Sequence, residues 1–224
     1  MKTLKKVTRE FEKKGHRFLL SALLLVIFIS PFLQQWSRLG WLLAVFLMLV
    51  LLAVVRTVAS RARQYIVALV LGAIALVPQF GVLIERAEWL GTIRYLAMVL
   101  FLFWVCLLLL HDIIIRSHKV TDELILGAIN VYLMVGVGYA FLYALIEHLQ
   151  PGSFTGLEAL GVVAEPLILF VYYSFVTMTT LGYGDVSPLT SFGMTASFSQ
   201  AMFGQLYLAI LVARLVGLYI AKPR

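Results

Sequence analysis

Long runs of apolar residues, separated by short polar segments, form the dominant pattern in this chain of 224 residues. A helix needs about 20 apolar residues to cross the hydrocarbon core of a bilayer. Six runs have lengths in or near this range, and we therefore predict an all-α integral membrane protein with six transmembrane helices. The runs cover residues 18–34, 41–55, 65–84, 90–115, 124–146 and 190–221.

A shorter apolar segment begins at Pro166, between the fifth and sixth runs, and ends near Met178. Proline is favoured at the first position of a helix, because the N–H that it lacks would have no partner there. About a dozen residues cannot cross a bilayer, so we expect 166–178 to be a re-entrant helix whose backbone is buried in protein. The preceding segment, 150–165, contains one proline and three glycines and is predicted to be an outer loop.

The composition agrees with a polytopic membrane protein. Hydrophobic residues make up 62% of the chain and charged residues only 13%, against about 25% charged residues in soluble domains. The net charge of +7 is spread over loops and not clustered on a soluble domain, which argues against nucleic acid as a partner. The single cysteine, Cys106, lies inside an apolar run and excludes an intrachain disulfide.

The distribution of lysine and arginine predicts the orientation. With the N-terminus inside, the cytoplasmic segments hold fifteen of these residues and the outer segments hold three, namely Arg38, Arg86 and Arg94. Basic residues prefer cytoplasmic loops, so we predict a multi-pass protein of the cell membrane with both termini in the cytoplasm.

The N-terminal segment, residues 1–17, contains seven of the eighteen basic residues. Leu4, Val7 and Phe11 share one helical face, which would allow the segment to lie on an anionic inner leaflet with its lysines at the lipid headgroups. A basic tail that only sets the orientation is the alternative.

One polar stretch, 172–185, combines threonines, alternating glycines and a carboxylate between two apolar runs. Gly182 and Gly184 accept left-handed dihedrals at every second position. If four chains met on an axis, the carbonyls of Thr180, Leu181, Gly182 and Tyr183, with the Thr180 hydroxyl, would form stacked oxygen rings able to replace the water around a cation. The alternative is an ordinary exposed turn, but the threonines and the flanking apolar runs favour an ion site.

The spacing T-x-T-T-x-G-Y-G-D, which begins at Thr177 and ends at Asp185, resembles the signature of the potassium channel family. The resemblance covers about residues 121–221. It implies a pore helix that ends near Met178, potassium ions as the bound species and a homotetrameric pore. It also implies a selectivity filter whose residues are Thr180, Leu181, Gly182, Tyr183 and Gly184.

Two residues depart from the family pattern. Valine is commoner at the position of Leu181, so packing behind the filter is expected to differ. Some relatives carry a glutamate at the position of Val176 that bonds the filter aspartate. Asp185 therefore needs another donor, and we predict the hydroxyl of Tyr172. Tyr172 and Tyr173 are also placed to form an aromatic cuff around Tyr183. Simple interface packing is the alternative, and the two do not exclude each other.

The first four runs, 18–116, are interpreted as a sensor-like domain without voltage sensing. Arginines recur at every third position of the fourth helix in voltage-gated relatives, whereas residues 95–110 contain no basic residue. A helix without movable charges cannot make opening steeply voltage-dependent. Residues 117–123, including Asp122 and Glu123, are predicted to form a cytoplasmic linker to the pore domain, 124–221.

The fifth and sixth runs contain candidate packing and gating residues. Gly136 and Gly138 are expected to allow close approach of the sixth helix, 190–221. Gly204 matches the flexible glycine of the family's inner helix and is a candidate hinge, with a packing glycine as the alternative. Gln205 is expected to face a water-filled cavity or a neighbouring subunit. Candidate residues for a gate that closes by dewetting are Val212, Val216 and Ile220, for which simple packing is again the alternative.

Arg214 lies off this stripe and is expected to reach inner headgroups or Asp122 and Glu123. Only four residues follow Ile220, so gating is expected to depend on the membrane domain, the inner leaflet or a separate regulatory subunit. The sequence predicts a potassium-selective channel that conducts passively and is not an enzyme. A less selective cation channel and a non-conducting regulatory subunit of a potassium transport system remain as alternatives.

Overall fold

The computed structural model describes residues 15–29, 88–116, 120–157 and 166–220, together with the single helical residues Val70 and Ile74. The second predicted run, 41–55, lies outside these residues, as does nearly all of the third, 65–84. The end of the first run and most of the basic N-terminal segment, 1–17, also lie outside them.

The described part of the chain is almost entirely helical. Its helices are α1, Gly15–Ile29; α2, Glu88–His111; α3, Asp122–Leu149; α4, Pro166–Met178; and α5, Ser191–Ile220. One π-helical turn, Asp112–Arg116, continues α2. Two short strands, β1 (Phe154–Thr155) and β2 (Ser187–Pro188), pair in antiparallel orientation.

Three helical segments of the described residues are long and apolar enough to cross a membrane. They are Gly91–Ile114, Asp122–Leu149 and Ser191–Ile220. The chain is therefore a helical membrane protein, and these segments correspond to the fourth, fifth and sixth predicted runs. α1 and α4 are shorter apolar helices, and α4 has the bounds that Pro166 and the motif predict.

α3 begins earlier than the apolar pattern predicts. Thr121 is its N-cap, and the Thr121 hydroxyl accepts a hydrogen bond from the Leu124 backbone N–H at 3.3 Å. Asp122 and Glu123, which were assigned to the linker, form the first turn of α3. Carboxylates are favoured there because the N-terminal end of a helix carries partial positive charge.

α2 and α3 pack against each other in antiparallel orientation. Gly91, near the start of α2, lies against His148 at the end of α3, and Ile113 after α2 lies against Gly127 near the start of α3. Between them, a Cβ at Gly138 would lie 3.5 Å from the Phe103 ring of α2. Gly138 therefore allows the close approach of α2. The prediction that Gly138 contacts the sixth helix was wrong.

Aromatic packing holds α4 against α3 and β1. The ring of Tyr143 on α3 lies 4.9 Å from that of Tyr173, and the ring of Phe154 lies 5.0 Å from that of Phe170, centroid to centroid. On the same helix, the Phe175 ring occupies the space next to Gly136, where a Cβ would lie 2.6 Å from the ring. Gly136 therefore admits α4, and not the sixth helix as predicted.

The outer loop is attached to the segment that follows α4. β1 pairs with β2, and the Leu189 N–H donates to the Ser153 carbonyl at 2.7 Å. The Glu147 carboxylate accepts hydrogen bonds from the backbone N–H groups of Gly152 and Phe154, at 2.8 and 3.1 Å. The described part of the loop, residues 150–157, is thereby attached both to α3 and to the segment before α5.

α1 packs on the N-terminal half of α3. Leu19, Leu23 and Val26 are buried on one face of α1. The fully buried Asn130 of α3 donates through Nδ2 to the His16 carbonyl at 2.9 Å. At the end of α5, Arg214 donates through Nη2 to the Ile114 carbonyl at 2.7 Å, so it caps the π-helical turn.

Candidate functional site

The backbone after α4 alternates in handedness. Thr180, Gly182 and Gly184 have φ of 59°, 58° and 77°, whereas no positive φ occurs at Leu181 or Tyr183. The two glycines were expected in this region of φ, but Thr180 was not. Such alternation turns successive peptide groups to the same side, as an oxygen-lined ion path requires.

The end of α4 holds the N–H side of this filter segment, residues 180–184. The Thr180 N–H donates to the Thr177 carbonyl at 3.0 Å, and the Leu181 N–H donates to the Val176 carbonyl at 3.0 Å. The Gly182 N–H shares that Val176 carbonyl at 3.4 Å. Within the described ranges, no hydrogen bond occupies the carbonyls of residues 180–183. A row of backbone oxygens therefore remains available for a ligand.

The side chains of the filter segment are exposed in the single chain. Leu181 is 55% exposed and Tyr183 is 67% exposed, and the neighbouring threonines are also on the surface. The Thr180 hydroxyl donates to the Thr179 carbonyl at 2.6 Å, which leaves the lone pairs of its oxygen available. The exposure of Leu181 and Tyr183 in one surface segment is typical of a site that a partner covers.

The carboxylate after the filter segment has the predicted donor. The Tyr172 hydroxyl donates to Asp185 Oδ2 at 2.5 Å, and the other carboxylate oxygen accepts from the Val186 N–H at 3.0 Å. The hydrogen bond to Asp185 raises the pKa of the Tyr172 phenol to about 12, so the phenol remains a donor at physiological pH. Val176, at the position of the relatives' glutamate, is buried and apolar.

Tyr173 does not form a cuff around Tyr183 within the chain. Its side chain is buried, and its hydroxyl shares a hydrogen bond of 2.8 Å with Ser197 Oγ on α5. Its ring packs on Tyr143, as described above. The packing alternative therefore describes Tyr173, because the ring has an apolar surface and a hydroxyl partner inside its own chain.

An apolar cavity of about 300 Å³ lies beside the filter segment, between α1 and α4. Leu181 and Val176, the two departures from the family pattern, both contribute to its wall. At both positions, the side chain that lines the cavity is therefore apolar. The wall is formed by Ile27, Phe28, Ile168, Val171, Tyr172, Phe175, Val176, Thr179 and Leu181.

A buried group of polar side chains behind α4 was missed by the sequence analysis. Tyr143 of α3, Ser174 of α4 and Gln200 of α5 each have 0% exposure and are joined by hydrogen bonds. The amide of Gln200 was the signal, because an amide in the middle of an apolar run must find a partner. Gln205, for which a polar environment was predicted, is exposed instead.

Gly204 is in close contact with the end of α4. A Cβ at Gly204 would clash with the carbonyl oxygen of Met178. α5 is one uninterrupted helix through this point, from Ser191 to Ile220. In this conformation Gly204 is a packing glycine, the alternative that the sequence left open.

The other candidate gating residues lie apart from the filter segment, farther along α5. Gln205 is exposed next to Gly204, and the side chains of Val212, Val216 and Ile220 are 58%, 50% and 74% exposed. These residues are available to a cavity, to lipid or to a neighbouring copy. Arg214 donates a hydrogen bond to the Ile114 carbonyl. This partner was not among those predicted, which were lipid headgroups, Asp122 and Glu123.

Comparison with known proteins agrees with the motif. A family model described as "Ion channel" matches residues 131–220. Two-pore potassium channel 5 of Arabidopsis thaliana is 33% identical over 80 residues, which is 34% of this chain and 20% of that protein. The chain thus spans about a fifth of the length of this curated relative, and no solved structure matches it. These matches confirm the predicted resemblance to the potassium channel family, and the segment that resembles an ion channel domain is residues 131–220.

Proposed function

We propose that four copies of this chain form a potassium-selective channel, in which the filter segments surround one axis and conduct ions passively. The observation that carries the proposal is the alternating backbone at Thr180, Gly182 and Gly184, with its row of free carbonyls. Carbonyl oxygens on four sides replace the hydration shell of a dehydrated potassium ion. One strand alone cannot surround an ion, so the site is incomplete in a single chain.

The exposed face of α5 supports assembly from several copies. Large apolar side chains are exposed along its length, including Phe198, Met202 and Leu206. We propose that part of this face contacts neighbouring copies and that the amide of Gln205 faces the central cavity. Farther along, Val212, Val216 and Ile220 would narrow the cytoplasmic end of that cavity and close it by dewetting.

α4 is suited to stabilise an ion in the membrane. Its first and last turns contain no charged residue, so the backbone dipole is not offset by side chains. The C-terminal end of a helix carries about half a negative charge. In the proposed assembly, four such ends converge below the filter and reduce the free energy of a cation there.

The proposed topology has six spans, a re-entrant α4 and both termini in the cytoplasm, with residues 1–17 on an anionic inner leaflet. α2 would not move as a voltage sensor. Its basic residue Arg94 donates to the Tyr95 hydroxyl at 2.7 Å, and the guanidinium carbon lies 4.6 Å from the same ring. Both contacts lie within α2 and orient the Arg94 side chain near the start of the helix. The argument against voltage sensing is that residues 95–110 contain no basic residue.

Potassium flux into liposomes tests the proposal. Purified protein reconstituted with a potassium gradient is expected to pass potassium and exclude sodium, whereas protein-free vesicles pass neither. Equal sodium and potassium fluxes would favour a less selective cation channel. A tetramer without flux would favour a regulatory subunit of a potassium transport system.

A further inference from the structure

Three helices of the channel domain meet in a continuous chain of buried hydrogen bonds. The Tyr143 hydroxyl of α3 donates to Gln200 Oε1 at 2.5 Å, and Gln200 Nε2 donates to Ser174 Oγ at 2.6 Å. The Ser174 hydroxyl then donates to the Gly136 carbonyl of α3 at 2.5 Å. The chain thus begins and ends on α3 and passes through α5 and α4. We call these three side chains, Tyr143, Ser174 and Gln200, the polar relay.

Gln200 links the polar relay, because its amide bonds both Tyr143 and Ser174. All three side chains have 0% exposure, so water does not replace a lost hydrogen bond. Leaving a buried polar group without a partner is more unfavourable than the net gain from one hydrogen bond, especially at membrane depth. α4 can therefore shift relative to α3 and α5 only if several bonds break together.

The polar relay acts on the part of α4 that holds the filter segment. Ser174 precedes Val176 by two residues, and the Val176 carbonyl holds the N–H groups of Leu181 and Gly182. The Phe175 ring, between them, is packed into the space at Gly136. The position of the last turn of α4 thus determines where the filter carbonyls lie.

We infer that Gln200 is a positioning residue of the selectivity filter, which acts through Ser174 on the last turn of α4. The inference goes beyond the proposed function but rests on it, because it assigns filter geometry to a residue that touches no ion. Ion discrimination depends on the placement of the carbonyl oxygens. Loss of the polar relay is therefore expected to reduce selectivity before it abolishes conduction.

The chain provides a matched control. Tyr139 and Ser199 form a second hydroxyl pair between α3 and α5, with 3.1 Å between Tyr139 Oη and Ser199 Oγ. Tyr139 is about one turn from Tyr143, but this pair has no hydrogen bond to α4 among the described residues. Tyr139→Phe therefore removes the same atom from the same pair of helices. It keeps the ring that packs against Tyr143, 6.0 Å between centroids, and leaves the hydrogen bonds of the polar relay in place.

The experiment compares Tyr143→Phe, Ser174→Ala and Gln200→Leu with Tyr139→Phe, all as full-length protein in liposomes. Each relay variant is expected to lower the ratio of potassium to sodium permeability by about tenfold, the size expected for one buried hydrogen bond. Tyr139→Phe is expected to stay within about twofold of the original protein. Gln200→Leu combined with Ser174→Ala is expected to lower the ratio by less than the product of the two separate fold changes, because both variants break the bond between Gln200 and Ser174.

Hydrogen exchange of the filter amides gives a readout that does not depend on conduction. We expect peptides that cover residues 179–185 to exchange several times faster in the relay variants than in Tyr139→Phe, because the hold of α4 on Leu181 and Gly182 is weakened. Unchanged exchange and unchanged selectivity in Tyr143→Phe and Ser174→Ala would overturn the inference. If the original protein passes no potassium, the proposed function fails, and filter exchange alone then decides whether Gln200 positions this segment.

Discussion

Thr180 has a left-handed backbone in a segment where only glycines were expected to have one. This conformation is unfavourable by about 1–2 kcal/mol for an L-residue. The Thr180 N–H and hydroxyl both donate to carbonyls of the preceding turn, and these bonds stabilise the unusual φ. The hydroxyl of Thr180 thereby lies at the N-terminal end of the row of carbonyls.

Gly182→Ala is predicted to abolish potassium flux without preventing assembly. No atom lies within 4 Å of the Cβ position in the single chain, so the effect comes from the backbone φ of 58°. Alanine disfavours this φ by about 1–2 kcal/mol. Liposome flux and size-exclusion chromatography would be measured on the same preparation.

Gly217→Ala is the control for that variant, since its Cβ would also meet no atom and φ is not positive there. It is expected to conduct normally. Undiminished potassium flux in Gly182→Ala would contradict the assignment of the filter segment.

Gly204→Ala is predicted to destabilise the protein by about 1–3 kcal/mol, the usual effect of overpacking. The new methyl group would collide with the Met178 carbonyl, so α5 would have to move away from α4. Thermal unfolding in detergent would measure the change, again against Gly217→Ala on the same helix. An unfolding temperature equal to that of the original protein would show that the two helices separate without strain, as a hinge would allow.

At the scale of elements, α2 and α5 carry opposite expectations about gating. α2 contains no basic residue between positions 95 and 110. α5 carries an exposed apolar stripe toward its C-terminal end. The first argues against voltage as the stimulus, and the second locates a candidate gate.

The conductance is predicted to change only shallowly with voltage. Each charge that crosses the field contributes about 2.3 kcal/mol per 100 mV, and α2 offers no row of such charges. Single-channel recording in planar bilayers over a range of voltages would measure the open probability. A steep conductance–voltage curve would show that charges elsewhere in the chain move.

Val216→Ser is predicted to give a channel that leaks when it should be closed. A hydroxyl in a dewetted constriction stabilises water there, which lowers the barrier to ions. Ala213→Ser, an exposed position one turn away and off the stripe, is the control. Tight closure of the Val216→Ser channel in bilayer recordings would move the gate elsewhere, for example to the filter.

The elements of the channel domain were predictable where one local rule determines them. Pro166 marks the start of α4, and the glycines after it indicate where the filter segment bends. Partners across helices were not predictable in this way. Gly136, Gly138 and Tyr173 were recognised as packing or support residues, but a linear pattern does not tell which neighbouring helix a face meets. The polar relay was missed for the same reason, since its members are far apart in sequence.

At the scale of the whole molecule, α2 lies along α3 of the same chain. Only residues 117–121 separate the end of the π-helical turn from α3, and contacts run from Gly91 to Ile113. In the proposed tetramer, α2 would then lie against the channel domain of its own copy. A force on α2 would act first on the α3 of that copy.

An engineered disulfide tests this arrangement. A Cβ at Gly138 would lie 3.7 Å from the Leu102 Cβ, a separation that suits a disulfide. With Cys106→Ala removing the native thiol, oxidation of Leu102→Cys combined with Gly138→Cys is predicted to leave the protein at monomer size on a denaturing gel while blocking its thiols to maleimide. A band of dimer size would instead show that α2 packs on the α3 of a neighbouring copy.

In the proposed channel, the outer loop would extend this coupling to the extracellular side. Gly156, at φ 85°, lies so close to the Asp185 carbonyl that no side chain would fit between them. We therefore expect the turn around Gly156 to move together with the backbone at the outer rim of the proposed pore, where ions would exit. Pressure applied to this turn from outside the cell would reach the carboxylate at the exit without any ligand entering the pore.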